Sequence, residues 1–140
     1  MSPWRIQLPQ RQFFTIILLY RDWTEYHVKR KEAKTMRDGA EANWIRLTYF
    51  KIQPEKIAEM KKIYYDEIIP VVREQWGNVD IFLLEPVDKE DEFISCTMWE
   101  SQADGDIYEA SGVYGETVDK ISHTFDGPAT LKSYEIPYRP

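Results

Sequence analysis

Few residues in this 140-residue chain are suited to acid-base or metal chemistry. Its two histidines, His27 and His123, are far apart, and neither stands in an HxxxH or HxxE spacing that would place two metal ligands on one helix face. Cys96 is the only cysteine, which excludes an internal disulfide and a cysteine-cluster metal site. We therefore predict no metal centre, and we interpret Cys96 as a small buried side chain in a strand.

Other catalytic signatures are missing from the sequence. There is no GxGxxG, P-loop or GxSxG motif, so the chain lacks the usual phosphate cradle of nucleotide-binding enzymes and the nucleophile turn of serine hydrolases. The acidic run at residues 88–92 is typical of a solvated loop, and no carboxylate is a candidate for the buried member of a glycosidase pair.

Composition limits the class of protein. With 43% apolar and 14% aromatic residues, a chain of this length is expected to form one domain with a sizeable core. The net charge of -6 makes nucleic acid and anionic membranes poor partners. The longest apolar stretch, residues 16–20, is too short to span a membrane, and no small-residue cleavage site follows it. Together with the single cysteine, this favours a cytoplasmic location.

Charge divides the chain into two parts. Residues 1–42 hold 8 basic and 5 acidic side chains, whereas residues 43–140 hold 10 and 19. From residue 12 to 36, apolar side chains recur at helical spacing, among them Phe13, Ile17, Tyr20 and Trp23. We predict a helical N-terminal extension over residues 1–42, although its first part could also form a strand. Its aromatic stripe is expected to pack on the remaining domain or on a second subunit.

The second part of the chain alternates between strand and helix patterns. The predicted elements are a strand at 43–52, a helix that begins at Gln53-Pro54-Glu55, kinks at Pro70 and ends at Gly77, strands at 79–86 and 92–100, a glycine-interrupted helix at 101–125 and a strand at 129–138. This β-α-β-β-α-β order is typical of a ferredoxin-like α+β fold, with a four-stranded antiparallel sheet and both helices on one face.

The predicted sheet is apolar on both faces. In its first strand, one face carries Ile45, Leu47 and Tyr49, and the opposite face carries Trp44, Phe50 and Ile52. Since the helices cover only one face, a second copy of the sheet is the simplest cover for the other. The sequence therefore predicts a homodimer.

Several segments carry a family resemblance. They are Ile45-Arg46-Leu47-Thr48-Tyr49 with Pro54-Glu55-Lys56, then Cys96-Thr97-Met98-Trp99-Glu100-Ser101, then Tyr108 and Ser111. Over residues 44–136 this pattern resembles the antibiotic biosynthesis monooxygenase (ABM) family of dimeric α/β barrels. In that family the Trp-Glu-Ser element ends a strand at the mouth of a small-molecule cavity. The resemblance implies a dimeric barrel with residues 43–140 as the family domain.

The resemblance also implies a chemistry. Family members that act without cofactors bind a phenol, anthrone or hydroquinone and let its anion react with oxygen, which needs an apolar pocket and a few polar groups. Trp99 and Tyr108 match cavity-lining positions, and Tyr114 is a further substrate-binding candidate by residue type. His123 is a candidate base and Arg46 a candidate anion-holding group. Each has an ordinary alternative: packing for the aromatic residues, exposure or capping for His123, and pairing with a carboxylate of a neighbouring strand for Arg46.

A second branch of the family degrades haem with an Asn, Trp and His set. The corresponding positions here are Ile45, Tyr108 and Val118, none of which matches, so an iron-ligating imidazole is missing. Haem degradation would need Tyr108 or a shifted His123 as the iron ligand. Two other hypotheses then compete. One is a cofactor-independent monooxygenase that acts on a small aromatic or quinol-like metabolite. The other is a non-catalytic dimeric module that binds a small molecule or a protein, and an enclosed cavity beside Trp99 and Tyr108 is the observation that would support either small-molecule reading.

Overall fold

A computed structural model describes residues 40–139 of the chain. The predicted N-terminal helix lies outside these residues. Four strands form one antiparallel sheet: β1 (Trp44–Phe50), β2 (Asn78–Leu84), β3 (Phe93–Trp99) and β4 (Thr130–Glu135). Their spatial order is β2-β3-β1-β4, which is the ferredoxin-like order predicted from the sequence.

The first helical segment is continuous but changes its winding. A 3₁₀ turn at Pro54–Lys56 leads into α1 (Ile57–Ile63), a π-helical turn covers Tyr64–Ile68, and α2 (Ile69–Arg73) follows. Pro70 has no backbone N–H to donate, and the π-helical turn ends shortly before it. The irregularity predicted at Pro70 therefore takes the form of this wide turn. The helix ends at Arg73, earlier than the sequence indicated, and Gly77 lies in the following turn with φ of 79°.

The second helical segment is broken, as its glycines indicated. It forms α3 (Gln102–Ala110) and α4 (Val113–Ile121), separated at Gly112, whose φ of 86° suits glycine. Ser101 caps α3, because its Oγ accepts a hydrogen bond from the backbone N–H of Asp104 at 3.2 Å. Gly105 lies directly against the ring of Trp44, so α3 approaches β1 closely enough to exclude a side chain there.

One face of the sheet packs on the helices and forms the core. Residues of β1 alternate between buried and half-buried. Trp44 and Phe50 share one face, as predicted, and this face is the buried one. Arg46 and Thr48 share that buried side. The opposite face carries mainly apolar side chains that no helix of the described part covers, including Ile45, Leu47 and Tyr49 of β1, with Leu84 42% exposed and Tyr134 49% exposed.

Candidate functional site

A small cavity of about 30 Å³ lies between the sheet and the helices. Apolar side chains from both layers form part of its wall. The remaining lining side chains all carry hydroxyl groups: Thr48, Tyr64, Ser95, Thr97, Tyr108, Tyr114 and Thr117. A space of this volume holds one or two water molecules. The site is therefore an uncharged, water-sized cavity with an unusual number of hydrogen-bonding groups for a protein core.

Tyr108 of α3 borders the cavity and is backed by Trp99. The two rings stack with their centroids 4.7 Å apart, and the Trp99 indole Nε1 donates a hydrogen bond to Thr97 Oγ1 at 2.9 Å. Trp99 is fully buried and is not among the residues that line the cavity in the described part of the chain. It thus fixes the position of Tyr108 from behind.

Tyr114 of α4 borders the same cavity. Its ring meets that of Tyr108 edge to face, with centroids 5.9 Å apart. Its Oη lies 3.4 Å from Thr48 Oγ1, and the Oη of Tyr108 lies 3.4 Å from Thr117 Oγ1. The structure therefore brings together two of the predicted substrate-binding residues at the cavity.

A third tyrosine, Tyr64 from the π-helical turn, completes this group. Its Oη lies 2.7 Å from Ser95 Oγ on β3. We call Tyr64, Tyr108 and Tyr114 the cavity tyrosines. Tyr64 was not among the candidate site residues predicted from the sequence. A tyrosine on a buried stripe needs a hydrogen-bond partner for its hydroxyl, and that requirement was the available signal.

Burial governs the protonation of these phenols. Loss of water around them raises the pKa of each cavity tyrosine, and for Tyr64, Tyr108 and Tyr114 this outweighs the opposing effect of a hydroxyl partner. The positive charge of Arg46 also lowers the pKa of Tyr108 and Tyr114, but by less than burial raises it. At neutral pH the phenols are therefore protonated and able to donate hydrogen bonds to an oxygen of a ligand.

Arg46 of β1 lies beside this group and is only 5% exposed. Its Nη2 is 2.6 Å from Glu109 Oε2 on α3, and its Nη1 donates to the carbonyl oxygen of Gly105 at 3.3 Å. The guanidinium also stands over the ring of Trp44, 4.8 Å from the centroid. The carboxylate that pairs with Arg46 thus comes from a helix, whereas the sequence suggested one from a neighbouring strand.

His123 lies elsewhere, in the 3₁₀ turn at Ser122–Thr124. Its side chain is 49% exposed, and its Nε2 is 3.4 Å from Glu59 Oε2. It is not among the cavity-lining residues of the described chain. The structure does not bring His123 to the cavity, and its assignment as a base stays a prediction without geometric support.

Residues 40–139 contain no group of three or more histidine, cysteine or acidic side chains arranged to hold a metal ion. Within the same residues, no helix is long and apolar enough to cross a membrane.

Comparison with known proteins shows which family the sequence matches. The sequence profile of a family described as antibiotic biosynthesis monooxygenase matches residues 44–120. No curated protein matches the chain at a significant level.

Solved structures share the architecture at low identity. A monooxygenase from the gene ActVA-Orf6 of Streptomyces coelicolor, solved with the ligand nanaomycin D, has a TM-score of 0.61 and 14% identity over 71% of this chain and 91% of its own. The protein Rv0793 of Mycobacterium tuberculosis has a TM-score of 0.59 and 15% identity over 70% and 98%. A conserved protein of Methanosarcina mazei has a TM-score of 0.57 and 17% identity over 67% and 93%. These likenesses show the fold, and the profile match covers more than half of the sequence. The chain therefore belongs to the antibiotic biosynthesis monooxygenase family.

Proposed function

We propose that this protein is a cofactor-independent monooxygenase that oxidises a small aromatic or quinol-like molecule. The observation that carries the proposal is the convergence of the cavity tyrosines on one space between sheet and helices, whose wall also contains apolar side chains. Protonated phenols in such a space can orient a ligand through its oxygen atoms, and the apolar side chains can contact its ring. The nanaomycin D bound to the Streptomyces coelicolor relative is consistent with a small-molecule ligand here.

The proposed mechanism uses the cavity groups to stabilise an anion. Tyr108 and Tyr114 donate hydrogen bonds to the oxygen of a hydroxyl-bearing ring, and the nearby charge of Arg46 favours the ionised form of that ring. Among the described residues, the cavity lining carries neither a carboxylate nor an imidazole, so the proton passes to water. The electron-rich anion then reacts with molecular oxygen. A ring carbon bonds to one oxygen atom, the O–O bond breaks, and the other oxygen leaves as water with two protons that the substrate has lost. The substrate is oxidised to a quinone in this step and supplies all four electrons.

Ligand entry requires a change in the cavity wall. A volume of about 30 Å³ is smaller than an aromatic ring, so the substrate has to displace lining side chains. Tyr114 and Phe125 are the lining aromatics that are only partly buried, whereas Tyr108 and Phe50 are fully enclosed. We assign the opening movement to Tyr114 and Phe125, because moving them exposes the least additional apolar surface.

A second candidate is a non-catalytic module that binds a small molecule. The lining residues within 40–139 include no carboxylate or imidazole, which favours this alternative, since none of these side chains is suited to remove a proton from substrate. The two candidates share the ligand site and differ in turnover.

Oxygen uptake distinguishes these two functions. The purified protein is mixed with a panel of anthrones, hydroquinones and related phenols without added flavin or metal. We expect turnover with at least one compound and a large decrease in Tyr108→Phe and Tyr114→Phe. Tyr65→Phe is the matched control, because Tyr65 is 49% exposed on the outer side of the π-helical turn. Ligand binding without turnover across the panel would support the binding module instead.

The open sheet face supports a homodimer of this chain. Ile45, Leu47 and Tyr49 present apolar groups there, and their neighbours across β3 are Met98, Cys96 and Ile94. An apolar surface of this kind is stabilised when a second copy covers it. Sedimentation of the full chain is expected to give a dimer, and Leu47→Arg a monomer, while Ala58→Arg on the exposed side of α1 leaves the dimer intact. A monomeric wild type at micromolar concentration would contradict this proposal.

A further inference from the structure

The guanidinium of Arg46 is unusually placed for a side chain that is 5% exposed. Two of its nitrogens bond to α3, through Glu109 and the Gly105 carbonyl, and its plane covers Trp44. Its Nε has no hydrogen-bond partner among the described residues. A buried arginine with an unused N–H retains the capacity to bind another acceptor.

The two members of the ion pair differ in freedom to move. The Glu109 side chain is 43% exposed, so its carboxylate can exchange protein contact for water at small cost. Arg46 is confined between the sheet and α3 and would lose its compensation if the carboxylate left without a replacement. An incoming anion is such a replacement. The pair is therefore arranged so that one anion can substitute for another.

The pair is also electrically linked to the cavity. Arg46 lowers the pKa of Tyr108 and Tyr114, and Glu109 raises that of Tyr114. A negative charge that arrives near these phenols is attracted by Arg46 and repelled by Glu109. The balance between the two side chains thus affects which charge a cavity ligand can carry.

We propose that Glu109 is a specificity-determining residue that competes with anionic aromatic ligands for the guanidinium of Arg46. Such a ligand binds when its phenolate or carboxylate takes over contacts with Arg46 that Glu109 holds in the unliganded protein. This inference rests on the proposed function only in assuming that the cavity region accepts a small aromatic molecule. It assigns Glu109 the role of limiting the affinity for anions and favouring uncharged ligands.

The test compares two probes that differ in charge. Binding of 4-hydroxybenzoate and of 4-hydroxybenzamide is measured by calorimetry with wild type, Glu109→Gln and a matched control, Glu116→Gln, whose carboxylate is exposed on α4. We expect Glu109→Gln to bind the benzoate roughly tenfold more tightly and the benzamide within about twofold of wild type. Glu116→Gln should leave both affinities within about twofold of wild type.

Two further variants separate charge competition from a change in structure. Arg46→Met/Glu109→Gln should lose the gain for the benzoate, because the attracting charge is gone. Glu109→Asp, whose shorter carboxylate cannot keep the 2.6 Å contact, should show an intermediate gain of about threefold, and it decides the question if Glu109→Gln does not fold.

The possible outcomes are distinct. An equal gain for both probes, or no gain for the benzoate, overturns the proposal. Absence of oxygen uptake together with the expected gain in benzoate affinity would refute the proposed reaction and leave the assignment of Glu109 standing. Oxygen uptake without any difference between the two probes would support the proposed reaction and refute the assignment of Glu109.

Discussion

Two of the cavity tyrosines, Tyr108 and Tyr64, allow a direct comparison of hydrogen-bond strength. Removing their chemically identical hydroxyls should lower the free energy of unfolding by different amounts. The Oη of Tyr108 lies 3.4 Å from Thr117 Oγ1, which is long for a hydrogen bond between hydroxyls. Thr117 keeps a 2.7 Å hydrogen bond to the Tyr114 carbonyl in any case. Tyr108→Phe therefore leaves no group without a partner, and we expect the free energy of unfolding to fall by about 0.5 kcal/mol.

The Oη of Tyr64 is bound more firmly. It lies 2.7 Å from Ser95 Oγ and donates to the Phe82 carbonyl at 3.3 Å. Tyr64→Phe removes both contacts and deprives a largely enclosed serine hydroxyl of this partner, which we expect to cost about 2 kcal/mol. The difference between the two variants follows from hydrogen-bond geometry alone, because both substitutions remove one oxygen from a buried ring.

Equilibrium unfolding in urea, followed by tryptophan fluorescence, measures both values. The slope with urea concentration should be the same for the wild type and both variants, so that the midpoints report stability. For turnover the order reverses. Tyr108→Phe is expected to lower kcat/KM by roughly 100-fold and Tyr64→Phe by much less, since the Tyr64 hydroxyl is held by a 2.7 Å contact whereas the Tyr108 hydroxyl has a 3.4 Å contact and is free to turn to a ligand. Equal destabilisation by the two variants would refute this reasoning.

Three other predictions follow from the geometry. Gly112→Ala should lower the free energy of unfolding by about 1 kcal/mol in urea unfolding, because the residue has a φ of 86°; unchanged stability would contradict the assigned break. Gly105→Ala should lower the melting temperature, because the added methyl group meets the Trp44 ring. This crowding is expected to cost about 1–3 kcal/mol, which exceeds the gain of about 1 kcal/mol from the higher helix propensity of alanine. The free energy of unfolding should also fall above about pH 10. There the tyrosines of the unfolded chain ionise, whereas burial raises the pKa of the cavity tyrosines in the folded protein and keeps them protonated. A flat profile of stability from pH 8 to pH 11 would oppose this.

Much of the fold was predictable because it depends on local patterns. Period-two and helical spacing located all four strands and both helical segments, and the glycines predicted a break in the second, which lies at Gly112. The first helix was predicted to extend to Gly77 and instead ends at Arg73. Glycine marks a turn without fixing how many residues separate it from the last helical bond, so helix ends are less determined than helix positions.

The site was less predictable, because it depends on which side chains of the sheet and the helices face each other. The apolar positions of β1 were assigned correctly to the two faces, but the same alternation also places Arg46 and Thr48 on the buried side. Polar side chains between Trp44 and Phe50 on a core-facing stripe were a signal of a polar cavity. The partners of those side chains come from helices distant in sequence, and spacing along the chain does not specify such contacts.

The chemistry of the cavity limits the substrates that the proposed reaction can use. The cavity tyrosines are protonated at neutral pH and can stabilise an oxygen anion, but the lining residues that the structure describes include no base that would create one. Substrate ionisation then has to be favourable enough to proceed with water as proton acceptor, assisted by hydrogen bonds and by the charge of Arg46. Glu109 partly cancels that charge. The proposed reaction therefore favours anthrones and hydroquinones, which can supply four electrons to oxygen, over simple phenols, and among substrates that are equally easy to oxidise the reaction rate should rise with acidity.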